Sequence, residues 1–162
     1  MEVPHGTLSS EPDAHSYFLN GQNITPCNAL MASVPRHPLW RLFIVDIAER
    51  ASTVFDPVDL TGPRGLYQFI SKYRLMALKE ILELLEVLPD YYFMPYIASY
   101  QAVKMRSLCQ NVFVLSEDAL KVCATLSKNG FRGKEMHSQT YSIHHWSCSW
   151  CHPNPLEGKL EE

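Results

Sequence analysis

CNALMASVPRHPLWRLFIVDIAER, residues 27–50, reads as a strand that gives way to a helix. Its first part, CNALMAS, is short, apolar and bounded by Pro26 and Pro35, which suits a buried strand better than a helix. From Pro38 onward, Leu39, Leu42, Phe43 and Ile47 recur near helical spacing. Pro38 fits the first helical turn, where no amide donor is needed, and the helix is expected to run to about Ser52.

Downstream, FDPVD has the composition of a turn, and Thr61-Gly62-Pro63 precedes RGLYQFISKYRLMALKEILELLEVL. In that segment Leu66, Phe69, Ile70, Tyr73, Met76 and Ala77 recur at three- and four-residue steps, so one helix with a break, or two in series, is expected to Leu88. Its later part, Leu75 to Leu88, is Leu-rich on several faces, as in a core helix or a partner surface. Pro89-Asp90 stops it, and YYFMPYI is expected as a short aromatic strand and loop before a further helix. Ser116 can cap EDALKVCATLSKNG, its acids favour the positive helix end, and Asn129-Gly130 can close the other. TYSIHHWSCSWCH is β-branched and aromatic, and reads as a last strand. Strand, helix, helix, strand, helix, strand is an α/β order, with polar, Pro-containing ends at 1–16 and 152–162.

Composition narrows the partners. The 162 residues are about one domain, and 46% hydrophobic content suffices for a core. Lys and Arg number 14 against 17 Asp and Glu, a net charge of −3, so no basic surface for nucleic acid or anionic membrane is implied. No run of about 18 apolar residues occurs, and MEVPHGTLSSEPD has no apolar signal core. The five cysteines (Cys27, Cys109, Cys123, Cys148, Cys151), odd in number and scattered, do not read as a disulfide framework. Asn23-Ile24-Thr25 is a sequon followed by Pro26, a triplet that arises often by chance.

The densest chemistry lies in His144 to His152. Cys148-x-x-Cys151 with neighbouring histidines is half of a zinc site, with no second pair at ligand spacing. A thioredoxin-like dithiol opens a helix early in its fold, whereas this one closes the chain.

Four motifs in order carry a resemblance: Glu11-Pro12-x-x-His15; Cys27-Asn28-Ala29-x-Met31-x-Ser33-x-Pro35-x-His37-Pro38; Thr61-Gly62-Pro63; and His144-His145-Trp146-x-x-Ser149-Trp150. Together they resemble the sugar-transferring family of inositol-phosphoceramide mannosyltransferases and initiating α1,6-mannosyltransferases, over residues 6–151 with flexible ends at 1–5 and 152–162. The resemblance implies a GT-A-like, Rossmann-like nucleotide-sugar fold and transfer of a hexose from GDP-mannose or UDP-galactose to a glycan or glycolipid, with Mn²⁺. A divalent ion and hydrogen-bond donors would neutralise the leaving diphosphate. The family's Asp-x-Asp metal motif is absent: Asp13, Asp46, Asp56, Asp59, Asp90 and Asp118 include no pair two residues apart. The family places that motif upstream of the segment matching Glu11 to Pro38, so the chain is expected to be truncated at the N-terminal side of the domain.

By resemblance, Asn28, Thr61, Gly62, Pro63, Ser149 and Trp150 bind the donor, Glu11 and His15 belong to an acceptor or site loop, and His144 or His145 contacts the metal or phosphate. No catalytic residue is assigned. Plainer readings stand beside these: core tryptophans, a helix-entry turn at Thr61-Gly62-Pro63, a solvated loop at Glu11 and His15. On a strand, His144 and His145 would face opposite ways, so at most one would face the site. The resemblance also implies a Golgi or endoplasmic-reticulum lumenal location and a membrane anchor upstream, and a face left bare by missing strands would need a partner or second copy to cover it. The rivals are a catalytically dead remnant that acts as an interaction or sugar-binding module, and a small zinc-binding module on Cys148, Cys151 and His152.

Overall fold

The computed structural model describes residues 6–75, 85–111, 115–132 and 137–146. Its sheet has three strands in the order β2-β1-β3: β1 is Gly6–Ser10, β2 is Pro26–Ser33 and β3 is Leu85–Leu88. The central strand is antiparallel to β2 and parallel to β3. β1 thus comes from the polar end that the sequence set apart. GTLSS has one large apolar residue, Leu8, which is fully buried; Ser9 is buried too, its hydroxyl 3.4 and 3.3 Å from the carbonyls of Cys27 and Leu30. Hydrogen bonding replaces the apolar alternation that would have marked a strand.

β2 corrects the expectation of a buried strand. Only Pro26 and Cys27 are buried, and the strand lies at the edge of the sheet with Met31, Ala32 and Ser33 exposed. A proline at the start of a strand is tolerated there because its missing amide leaves no ladder partner unpaired. The register jumps within it: Leu8 pairs with Met31 but Ser9 pairs with Cys27, so Asn28, Ala29 and Leu30 bulge out of the ladder.

Among the described residues, four helices fall between β1 and β3, and the second and fourth of them pack on the sheet. α1 (Asp13–Asn20) follows Pro12 and ends at Gly21, whose φ of 66° suits a residue without a side chain. α2 (Pro38–Arg50) starts where expected, with the His37 ring accepting the Leu39 amide, and stops two residues before Ser52. FDPVD is not a turn. Asp56 accepts the amides of Val58 and Asp59 and caps a short helix, α3 (Pro57–Leu60). α4 (Pro63–Leu75) buries Leu66, Phe69 and Ile70 against Leu8, Leu39 and Phe43, which form the first core.

The helix expected through Leu88 does not hold at its end, since Leu85–Leu88 is β3; residues 76–84, with Met76 and Ala77, lie outside the described residues. Parallel pairing with the buried β1 outweighs the helical preference of Leu and Glu in LEVL. YYFMPYI is not a strand either: Asp90–Tyr92 is a 3-10 turn, and Met94, Pro95, Ile97 and Ala98 are buried in irregular chain. After a second 3-10 turn at Ser99–Gln101 come α5 (Ala102–Gln110) and α6 (Glu117–Lys128). The Ser116 hydroxyl accepts the Ala119 amide, and Gly130 at φ 62° closes the far end, both as the sequence indicates. Ala14, Ile97, Met105 and Leu126 form a second core under α1, α5 and α6.

Cys109 and Cys123 form a disulfide between α5 and α6, which corrects the reading of scattered thiols. An odd total hid one pair. Residues 140–146 carry no regular strand, and Ser147 to His152 lie outside the described residues. The described fold is mixed α/β with a small mixed sheet, and among the described residues no helix is long and apolar enough to cross a membrane.

Candidate functional site

Glu11 links β1 to α1, and its amide donates to the Thr25 carbonyl just before β2, at 2.8 Å. One turn into α1, His15 places Nδ1 3.0 Å from Glu11 Oε2, and both side chains are buried. The Ala98 amide donates to His15 Nε2 at 3.2 Å. A ring nitrogen that accepts an N–H carries no proton, so the His15 proton sits on Nδ1 and points at the carboxylate. The i,i+4 spacing on a helical path brings the two together, and the irregular segment before Ser99 supplies the third partner. His15 therefore lies in a helix rather than a loop, and neither residue is solvated.

The far end of the chain closes over this pair. The Trp146 ring meets the His15 ring edge to face at 4.7 Å and the His144 ring at 4.3 Å. Its Nε1 donates to the Tyr96 carbonyl at 2.8 Å, and its backbone amide donates to His144 Nδ1 at 3.1 Å. Trp146 has a φ of 54°, a region that a non-glycine residue occupies only when its surroundings hold it there. Two indole contacts and two hydrogen bonds do so. His144 is half-buried and His145 exposed, so His144 is the member of the doublet turned toward the site. Burial pushes the His144 imidazole below its ordinary range; Glu11 pulls the other way, and His145 and His15 add to the lowering.

Cys27 completes the cluster. Burial, and then the Glu11 charge, push its thiol far above the usual cysteine range, so it is a donor toward Glu11 and not a nucleophile. Tyr100 is raised by burial and by the same carboxylate. Glu11 is thus ringed by the His15 Nδ1–H and the Cys27 thiol, with Trp146 over His15.

Asn28, the residue after Cys27, goes its own way. It is exposed in the bulge, and its amide donates to the Thr61 carbonyl at 3.1 Å. An amide in an otherwise apolar strand needs a hydrogen-bond partner. The bulge answers by lifting it out to the α3–α4 turn. Thr61 itself donates its hydroxyl to the Pro57 carbonyl, and Gly62 is held tight: a Cβ there would lie 2.7 Å from Val58 Cα. Gly62 is fixed by packing against α3, and Pro63 begins α4. Arg50 locks the same corner by donating to the carbonyls of Asp59 and Leu60 while it bonds the buried Asp46, which also takes Lys72 at 2.9 Å.

The predicted residues fall into two groups, Glu11 with His15 and His144, and Asn28 with Thr61, and β2 connects them through the adjacent Cys27 and Asn28. Ser149 and Trp150 lie outside the described residues, as do Cys148, Cys151 and His152 of the zinc reading. Both nitrogens of His15 are engaged, as is Nδ1 of His144, and no group of three or more His, Cys, Asp or Glu among the described residues is placed to hold a metal ion. The described donors alone do not fit a Mn²⁺ centre. A cleft of about 110 Å³ between the start of α1 and α6, lined by Pro12, Asp13, Asp90 and Lys121 among others, is small beside the roughly 300–1,000 Å³ of ligand pockets.

Sequence reasoning missed Cys27 as a partner of Glu11, and the backbone groups of Tyr96 and Ala98. Cys27 stood next to a chosen residue and was visible; the backbone groups left no trace in side-chain types. No family model, no curated protein and no solved structure matches this chain.

Proposed function

We propose that this chain is part of a GT-A-like hexosyltransferase domain that handles GDP-mannose or UDP-galactose and delivers the hexose to a glycan or glycolipid acceptor. The observation that carries this reading is the meeting of Glu11 and His15 with His144 and Trp146, about 130 positions later. Motifs chosen by resemblance from opposite ends of the chain share one cluster. The bulge that aims Asn28 at Thr61 adds a second reason, since bulges often re-aim side chains beside sites.

In this reading the second N–H of the Asn28 amide donates to a sugar oxygen, and the Thr61 hydroxyl oxygen accepts from a sugar hydroxyl. His144 and Trp146 cover the site, and Glu11 and His15 position that cover without exchanging protons with substrate. The Cys109–Cys123 disulfide is of a kind that persists in oxidising compartments, which supports a Golgi or endoplasmic-reticulum lumenal setting. The uncharged edge strand β2 is where a further strand, a partner or a second copy would pair.

The test is calorimetric titration with GDP-mannose and with UDP-galactose, with and without Mn²⁺. Saturable binding that Asn28→Ala weakens by about tenfold, roughly 1.4 kcal/mol, is the expected result. Absence of saturable binding to either donor overturns the proposal.

A second reading, a sugar-binding module without transfer, is favoured by the fully occupied nitrogens of His15, which leave that ring no site for exchanging a proton with substrate. Sugar binding without release of nucleoside diphosphate would select it.

A further inference from the structure

Ahead of the strap that ends in Trp146, five rings crowd together: Tyr91, Tyr92, Phe93, His137 and Tyr141. Tyr92 and Tyr141 are nearly parallel, with planes 16° apart and centroids at 5.9 Å; Tyr91 lies 4.4 Å from Tyr92 and 4.7 Å from His137. Tyr141 is 74% exposed, so burial cannot be what keeps its ring in register. Backbone hydrogen bonds do that. The Tyr141 amide donates to the Tyr92 carbonyl at 2.8 Å, the Thr140 hydroxyl donates to the Tyr91 carbonyl at 2.7 Å, and the His137 amide donates to Thr140 Oγ1 at 3.0 Å. An exposed aromatic shelf is thereby preorganised, which lowers the entropic cost of seating a ligand on it.

We propose that this shelf is a carbohydrate subsite in which the apolar face of a pyranose ring stacks on Tyr141, with its hydroxyls reaching the phenol groups of Tyr91 and Tyr92. Hydrogen-bonding chemistry favours a sugar. The stacked rings carry the phenols of Tyr91, Tyr92 and Tyr141, each able to donate to and accept from the hydroxyls of a pyranose. The shelf continues through residues 142–146 into the cover over Glu11 and His15, so a sugar chain resting on it lies along the strap that closes the site. This inference rests on the sugar-handling reading above and names where an acceptor glycan would lie.

The experiment is an NMR titration of the full chain with methyl α-mannopyranoside and methyl β-galactopyranoside, with GMP and UMP as controls, reading the ring signals of Tyr92 and Tyr141. Saturating shifts of those signals with a glycoside are expected. Tyr141→Ala should weaken that binding by about tenfold and Tyr141→Phe should keep it within about twofold. Ring signals that stay still, affinity unchanged in Tyr141→Ala, or a response to GMP or UMP instead would each overturn the subsite. Titration of Tyr141→Ala with GDP-mannose and UDP-galactose separates the two claims: failure of donor binding in the wild-type chain sinks the transferase reading, whereas glycoside stacking on Tyr141 stands or falls on its own.

Discussion

His15 shows how much one side chain holds. Removing it leaves the Glu11 carboxylate and the Ala98 amide buried without their partner, and Trp146 without the ring it packs on. His15→Ala is therefore expected to cost about 3 kcal/mol in urea unfolding, the upper end for leaving buried polar groups without their partner. Glu11→Gln, which keeps an acceptor for Nδ1–H, should cost about 1–2 kcal/mol in the same measurement. A histidine outside the site adds its own pH dependence to that of the half-buried His144. Burial lowers His37 below its usual value of 6.5, and its Nε2 has no partner. The unfolded chain then binds a proton at His37 more readily than the folded one, so the stability is complete above about pH 6.5 and is lost as pH falls below it. His37→Asn keeps a good cap for the Leu39 amide without titrating, and should flatten the unfolding free energy as pH falls below about 6.5. A slope unchanged by that variant would place the acid sensitivity elsewhere.

At the scale of elements, α3 and α4 meet so closely that ordinary helix preferences reverse. A Cβ on Gly65 would lie 2.6 Å from the carbonyl oxygens of both Asp59 and Leu60, which are backbone atoms already bonded by Arg50. Alanine would gain about 1 kcal/mol of helix propensity and lose about 1–3 kcal/mol to overpacking. Gly65→Ala should lower the thermal midpoint, and a raised midpoint would show that the corner can open. The same scale shows what the sequence made legible. α2 and α6 were readable because apolar spacing, caps and terminal Pro or Gly agreed, as with Pro38, Ser116 and Gly130. β1 and β3 were not. GTLSS hides its burial in serine hydrogen bonds, and LEVL looks helical until β1 is beside it. Of the site, Glu11 and His15 are picked out by resemblance but read as a loop, although their i,i+4 spacing is that of a helical pair, and the bulge that exposes Asn28 depends on the register between two strands, which no local pattern encodes.

Across the whole molecule, the described residues form two cores, one between the sheet, α2 and α4 and one under α1, α5 and α6, and the second is stapled by Cys109–Cys123. The half-cystines are 14 positions apart, and a loop of that size is worth about 3 kcal/mol. Reduction should lower the urea midpoint accordingly, and a Cys109→Ser/Cys123→Ser chain should behave like the reduced protein whether or not reductant is present. An unchanged midpoint on reduction would argue against the pairing.

The position of β1 at the centre of the sheet sets an order of assembly. During synthesis the first strand emerges with β2 soon after it, yet its parallel neighbour β3 is made some 75 residues later, and Trp146 later again. Sequence-distant contacts form slowly, so the carboxylate of Glu11 stays open to water until nearly the last described residue arrives. A ribosome paused before residue 140 would hold a chain able to form both flanks of that pocket and lacking only its roof.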